Sequence, residues 1–503
     1  MGTKDIYSNS KQYQLSLCNM RTKPYHSCKL IRNVPISSLL IFCGRWKYSL
    51  LLFCIFLCHS LIGCNATRKD HNIILISLDT LRSDRLGCYG HTRNTSPHMD
   101  TLASQGILFL NARAQSSWTL PSHMSLFTSL YPSFHQVKNT DQRLSPHITT
   151  MAQILKKNGF TTAAFTEGGN LSQIHGFSRG FDIYGEKSQD INITFNQAMK
   201  WLRSNARERK FFLFIHTYEN HTPYLRKALA NPIKRGRLGE TLPKNQQLFD
   251  IIFGRFLLTS QEKEYVKSLY DSGILYADSY IGMLLNVMED LALMENTTLI
   301  VLSDHGEDLW NHGISPSHGV TLYEDQLRVP LIIYDRTLPS NFKIESPVQL
   351  IDIMPTLLSL NRIPIPPNLQ GENLLPLIYT KNKSTNKTFF SEGTFYGPNR
   401  IAIIKDDYKY VTIPRLHEVK SAPSTKILFV LEPGLEERSL FNLKEDPLEK
   451  NNLIDKEPVR AQKLFTLLEK EYLSKSRNIK PMPLLQEPSQ EQKERLKALG
   501  YIK

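Results

Sequence analysis

Five short apolar runs, each followed by a stretch with room for a helix, constrain the fold more than any other feature of this chain. They are Asn72–Leu78 (NIILISL), Thr161–Phe165, Phe211–His216 (FFLFIH), Thr298–Ser303 (TLIVLS) and Pro330–Tyr334 (PLIIY). Apolar runs alternating with helical segments predict a mostly parallel central sheet flanked by helices, an α/β fold. The longest helical segment, Gln261–Leu293, carries Ile274, Ile281, Leu284 and Leu285 at helical spacing. In open parallel sheets the chemistry sits at the carboxyl ends of the strands. Two of the runs end there in Asp79 and in Asp304-His305.

With 503 residues the chain has room for one large α/β domain and a smaller one. The composition changes after Leu375, where Pro376–Lys387 is rich in Lys, Asn, Ser and Thr and predicts a linker. Beyond it, strand-like pieces at Thr388–Phe390, Ile401–Ile404, Tyr408–Ile413 and Lys426–Leu431 precede a helix near Pro458–Leu473. The predicted organisation is an N-terminal extension with an export signal over 1–64, a catalytic domain over 70–375 and a small α+β subdomain over 388–503.

The formal charge is +14, and half of it lies in residues 1–64, where eight Lys/Arg face Asp5 alone. The remaining excess suits an anionic substrate or membrane surface. It is too diffuse for nucleic acid, and no recognition motif for nucleic acid is present. Six of the seven cysteines precede residue 65 and only Cys88 follows, which excludes a disulfide framework in the main domain. Ser49–Gly63 is apolar, follows Arg45 and Lys47, and is short for a bilayer span. A basic flank and a short apolar stretch describe an export signal. Its end, Leu61-Ile62-Gly63-Cys64, resembles a bacterial lipobox, which implies a lipid on Cys64 and an exported protein tethered in the cell envelope, in the periplasm or at the cell surface. An uncleaved signal anchor is the alternative.

Four motifs carry candidate chemistry. Asp79 ends a strand in LISLDTLRSDRLGCYG, where a turn or cap role is the common one. Thr119 lies in SWTLPSHMSLFTSLYP, where Pro121 and Ser122 mark a helix start. A hydroxyl just before a helix N-terminus sits beside free backbone N–H groups that cradle anions; it is also where an ordinary N-cap threonine stands. VLSDHGEDLWNHGISPSHG places Asp304-His305 at a strand end with His312 and His318 downstream. FFLFIHTYENHTPY places His216 and His221 after another strand.

The order and spacing of these stretches resemble the sulfatase family of the alkaline-phosphatase superfamily. So do the long YDSGILYADSYIGMLL segment, LYEDQLRVPLIIY, LIDIMPTLL, LFNLKEDPLEKNNL and ALGYI. The resemblance implies an alkaline-phosphatase-like sheet and one divalent metal bound by Asp79, Asp304 and His305. It places Thr119 at the nucleophile position, its oxygen on the metal. His123 would hold the substrate anion, His221 and His318 would contact the transferred group or protonate the leaving oxygen, and His216 would belong to the same substrate shell.

Departures from the family pattern bear on the substrate. Sulfatases convert a Cys or Ser to an aldehyde, and a threonine β-carbon yields only a ketone. The paired aspartates are Asp79-Thr80 here, the Asp-Asn pair is Asp304-His305, and Glu167–Asn170 lacks the Gly-Lys-Trp-His element. A histidine ligand favours Zn2+ or Mn2+ over Ca2+ or Mg2+. The sequence therefore predicts hydrolysis of a sulfate or phosphate ester on a glycan, lipid or small molecule, phosphate slightly preferred. The alternatives are a phosphoglycerol- or phosphoethanolamine-type transferase and a non-catalytic lipoprotein that binds an anionic glycan.

Overall fold

The computed structural model describes residues 71–501, apart from 189, 207–208, 239–249, 252–254, 313–315, 381–386, 397 and 414–436. Cys64, the export signal and the strand expected at Lys426–Leu431 lie outside the described residues. Lys69–Lys503 forms one compact unit.

Its centre is an eight-stranded sheet. The strands in chain order are β1 (Asn72–Leu78), β2 (Ile107–Phe109), β3 (Thr161–Phe165), β4 (Ile183–Gly185), β5 (Phe211–Thr217), β6 (Thr297–Leu302), β7 (Leu331–Tyr334) and β8 (Phe342–Ile344). Their spatial order is β8-β2-β7-β6-β1-β5-β3-β4. β1 lies parallel between β5 and β6, and only β7 runs antiparallel to its neighbours. The five apolar runs are therefore all strands, within a residue of the expected ends.

Every residue of β1 is buried, because both faces of the sheet are covered. Ile73 and Leu75 of β1 and Phe212 and Phe214 of β5 join one apolar core with helices α2 (Thr119–Thr128), α3 (Met151–Lys157) and α6 (Ile353–Leu360). Ile74, Ile76 and Leu78 point the other way, into a second core with α1 (Pro97–Gln105), α4 (Ile191–Asn205) and α5 (Ser260–Asp290). The alternation is the period-two direction of side chains along a strand. α5 starts where Thr259 and Glu262 form a capping box.

A second sheet is an antiparallel meander of β9 (Phe389–Glu392), β10 (Ile401–Lys405), β11 (Tyr408–Thr412) and β12 (Arg438–Asn442). Helix α7 (Pro458–Leu468) covers it, with Leu464 and Leu468 against Ile401, Ile403 and Leu440. Lys409 of β11 is buried between Glu324 at 3.1 Å and Glu449 at 2.8 Å. Glu324 also receives Arg113 at 2.9 Å, so a closed ionic network ties the meander to the main body. The stretch expected to be a linker begins instead as a short helix, Leu375–Thr380. Its polar residues masked one apolar anchor: Ile378 is buried in the first core.

Candidate active site

β1, β5 and β6 present their carboxyl ends side by side, and the site is built from the residues just beyond each strand. After β1 the backbone reverses at Thr80, whose φ is +58°. The Thr80 hydroxyl donates to the Asp79 carbonyl at 2.7 Å, and the Asp79 N–H stays on the sheet ladder through the Thr217 carbonyl. The Asp79 side chain is thereby held beyond the strand end. After β6, Ser122 of α2 donates to the Asp304 carbonyl at 2.6 Å and Ser303 to the His305 carbonyl at 2.7 Å, which fixes the Asp304-His305 turn.

α2 starts two residues earlier than the proline suggests, with Thr119 as its first residue and Trp118 as its N-cap. Thr119 is therefore not capping the helix. Its fully buried hydroxyl donates to Asp79 Oδ2 at 3.1 Å and lies 3.3 Å from His305 Nε2 and 3.1 Å from Tyr501 Oη.

Asp79, Asp304 and His305 each offer a donor atom within 4.8 Å of the others. His305 Nδ1 lies 2.9 Å from the Gly306 carbonyl, so it carries the proton and the Nε2 lone pair faces inward. That lone pair meets Asp304 Oδ2 at 3.4 Å and Asp79 Oδ1 at 3.8 Å. Three electron-rich atoms face one another, and Asp79 Oδ1 and both Asp304 side-chain oxygens accept no hydrogen bond. Burying unpaired carboxylates is costly, and a divalent cation is the partner such a donor set fits. Burial and then the Asp304 charge push the Asp79 carboxyl well above its ordinary range, while burial holds the His305 imidazole down at about 4.

The remaining histidines divide by what they touch. His216 Nε2 lies 3.3 Å from Asp79 Oδ2, and burial followed by the neighbouring His123 keeps its ring neutral. His123 was expected to hold the substrate anion, but both its nitrogens are taken. Nδ1 lies 3.0 Å from the Thr119 carbonyl and 3.2 Å from Asp304 Oδ2, and Nε2 lies 2.9 Å from Ser77 Oγ. It braces Asp304 instead. His221 and His318 stand face to edge, ring centres 4.7 Å apart. His221 Nδ1 sits 2.6 Å from the Thr222 carbonyl while Nε2 is buried without a partner; burial and then His318 hold its pKa far down. His318 Nδ1 lies 3.0 Å from Glu307 Oε1. His312 is elsewhere, stacked on Tyr323 and bonded to Asp325.

Several participants were not picked out from the sequence. Glu307 was hidden in the run after His305. Glu167, whose carboxyl burial lifts to about 7, takes the Thr217 hydroxyl at 2.6 Å and Arg495 Nη2 at 3.2 Å. Tyr501 arrives from 382 positions beyond Thr119, a separation no spacing rule reaches.

A buried Asp/Asp/His cluster beside a hydroxyl, at the carboxyl ends of a mostly parallel sheet, defines an alkaline-phosphatase-like ester-hydrolase architecture. Solved structures share the fold. One is a protein in complex with its substrate D-glucosamine-2-N,6-O-disulfate, with TM-score 0.64 and 18% identity, covering 83% of this chain and 100% of that one. Another is the phosphonate monoester hydrolase of Agrobacterium radiobacter, with TM-score 0.62 and 18% identity, covering 81% and 95%. The chain belongs to the sulfatase family: the family model "Sulfatase" matches residues 71–363, and "N-sulphoglucosamine sulphohydrolase, C-terminal" matches 320–478. Relatives include arylsulfatase K of Mus musculus, 25% identical over 63% of this chain and 65% of the mouse protein. The N-acetylgalactosamine-6-O-sulfatase of Bacteroides thetaiotaomicron is 26% identical over 81% of this chain and 96% of its own length. The chain thus spans just under two thirds of the arylsulfatase K it matches.

Proposed function

We propose that this protein hydrolyses an ester of phosphate or sulfate carried by a glycan, lipid or small molecule, with Thr119 as nucleophile and phosphate esters preferred. The observation that carries the reading is the Thr119 hydroxyl. It lies at the mouth of the Asp79/Asp304/His305 cluster, hydrogen-bonded to Asp79 and not to its own helix.

One divalent cation, Zn2+ or Mn2+ by the chemistry of a histidine-containing donor set, would be held by Asp79, Asp304, His305 and the Thr119 oxygen. Bound there, it would act as a Lewis acid on the ester oxygens and lower the pKa of the hydroxyl. Thr119 Oγ1 attacks the phosphorus, and the bond to the carrier oxygen breaks as the Thr119–phosphorus ester forms; water then cleaves that ester. His221 has its proton on Nδ1, towards Thr222, so its partnerless Nε2 can take up a proton and hand it to the leaving oxygen. His318, oriented by Glu307, faces the transferred group from the same side. His216 and His123 position Asp79 and Asp304.

The preference for phosphorus rests on the methyl group of Thr119, which closes the aldehyde-hydrate route by which sulfatases release sulfate. The relatives named for sulfated sugars support a glycan as carrier, and the phosphonate monoester hydrolase shows that the fold accommodates phosphorus chemistry. Cys64, lipidated after export, would tether the enzyme in the cell envelope.

The test is a matched series of p-nitrophenyl phosphate, bis(p-nitrophenyl) phosphate and p-nitrophenyl sulfate with metal-replete protein, and mass spectrometry of the Thr119 peptide. We expect an unmodified Thr119 and a higher kcat/KM for a phosphorus ester. Thr119→Ser retains part of the activity. A clear preference for the sulfate would overturn the substrate assignment.

A further inference from the structure

The segment from Ser489 to Tyr501 is built to deliver one hydroxyl. Helix α8 (Gln490–Ala498) begins on a capping box between Ser489 and Gln492. It ends in a Schellman turn: Tyr501 N–H donates to the Leu496 carbonyl, Gly500 N–H to the Lys497 carbonyl, and Gly500 has a φ of +83°. A side chain at Gly500 would strain that backbone. The turn sends Tyr501 back along the helix, away from solvent.

Five contacts fix where it goes. Arg495 reaches Glu167, Gln492 donates to Ser172 Oγ at 2.7 Å, and the Tyr396 hydroxyl donates to the Gly500 carbonyl at 2.7 Å. The Tyr501 ring packs on Phe395 and Trp118, with ring centres 5.1 and 5.9 Å away. Its hydroxyl stands 3.1 Å from Thr119 Oγ1 and 3.1 Å from His318 Nε2.

The hydrogen-bond directions follow from the donor inventory. In a neutral His318 ring the proton on Nδ1 goes to the Glu307 carboxylate, which makes Nε2 the acceptor. Tyr501 has one proton and donates it to Nε2, which leaves its oxygen as a second acceptor, besides Asp79 Oδ2, for the single Thr119 proton. A cation on the Asp79 side would repel the Thr119 proton towards Tyr501.

We infer that Tyr501 is a catalytic residue of this enzyme, its hydroxyl bridging the nucleophile Thr119 and His318 so that the Thr119 O–H is turned aside and an oxygen lone pair faces the substrate. This rests on the reading of Thr119 as nucleophile. α8 is then part of the active site and not a peripheral tail.

The experiment is Tyr501→Phe in the full chain, assayed with whichever nitrophenyl ester the wild type turns over best. Phe keeps the ring and its packing and removes only the oxygen. We expect kcat to fall about 100-fold, the scale of a misplaced reacting group, with KM, metal content and melting temperature unchanged. An unchanged or raised kcat would overturn the inference, and a raised one would make Tyr501 a plug. A loss confined to KM, or one that tracks lost metal, would overturn it as well. Thr119→Ala is measured alongside. If that variant turns over as wild type does, the nucleophile reading has failed; if it is dead while Tyr501→Phe is fully active, only the present inference has.

Discussion

Stripping the metal should lower the melting temperature, by an amount set by the site's own chemistry. Asp79, Asp304 and His305 are all fully buried, and the nearest imidazole nitrogen to Asp304, His123 Nδ1 at 3.2 Å, has its hydrogen bond with the Thr119 carbonyl. Without a cation, Asp79 Oδ1 and both Asp304 oxygens face the His305 lone pair with no hydrogen bond of their own. A ligand bound only by the folded state adds about 4.1 kcal/mol of stability when present at about 1,000 times its Kd. The compact unit Lys69–Lys503 has about 435 residues and, at about 2.1 cal/mol/K each, an unfolding entropy near 0.9 kcal/mol/K. The ratio is a shift of about 4–5 °C. Differential scanning calorimetry of chelated protein, before and after adding Mn2+ or Zn2+, measures it. Asp304→Asn keeps the shape, removes one charge and should abolish the shift. Its metal-free form should melt no lower than chelated wild type, since one of two opposed carboxylates is gone. Chelated protein shown to be metal-free that melts with the loaded form would refute the reasoning, and so would a full metal shift in Asp304→Asn.

Two further predictions concern charge and anchoring. Glu167 titrates at about 7 in the folded protein against an ordinary 4.5. Its raised value means that stability is fully present below about 4.5 and declines as pH rises through 7, by about 3 kcal/mol in all; Glu167→Gln should flatten the pH dependence of urea midpoints across that window, and an unchanged slope would exclude Glu167 as its source. Cys64→Ala should release the protein from membranes or stall its processing, as fractionation and acyl labelling would report; unchanged membrane association with no acyl label would favour an uncleaved anchor.

The parts of the fold that the sequence disclosed are those dictated by burial. β1 and β3 match their expected ranges residue for residue because both faces of the sheet are covered, so every position in them after Asn72 is apolar or small. Asp79, Asp304 and His305 were legible because strand ends in such a sheet are where polar side chains can converge. Thr119 was legible as a residue but not as a helix position, since Pro121 is tolerated in the first turn wherever that turn starts. The bracing role of His123 was not legible, because it depends on Ser77 and Asp304 approaching from two different strands. Ile378 was lost in a polar stretch because one buried side chain sets no period. In Tyr501 the local signal was present, a glycine closing a polar helix, but it announces a reversal and says nothing of its destination.

β1 finds its two neighbours far along the chain: Asn72 bonds to Phe211, 139 positions on, and to Thr297, 225 positions on. The central ladder therefore cannot close during synthesis until about 230 further residues have followed it, and pairings of such separation form slowly. Until β5 has followed it the apolar strand has two open edges, and until β6 has followed it one, a template for aggregation. β1 is therefore where a holding chaperone would be needed most. Once β6 zips onto β1, Asp304 and His305 swing up beside Asp79 in the same event. Uptake of a metal there would then report the closing of the β1–β6 pairing, readable in a refolding experiment as the moment the ion becomes resistant to chelator.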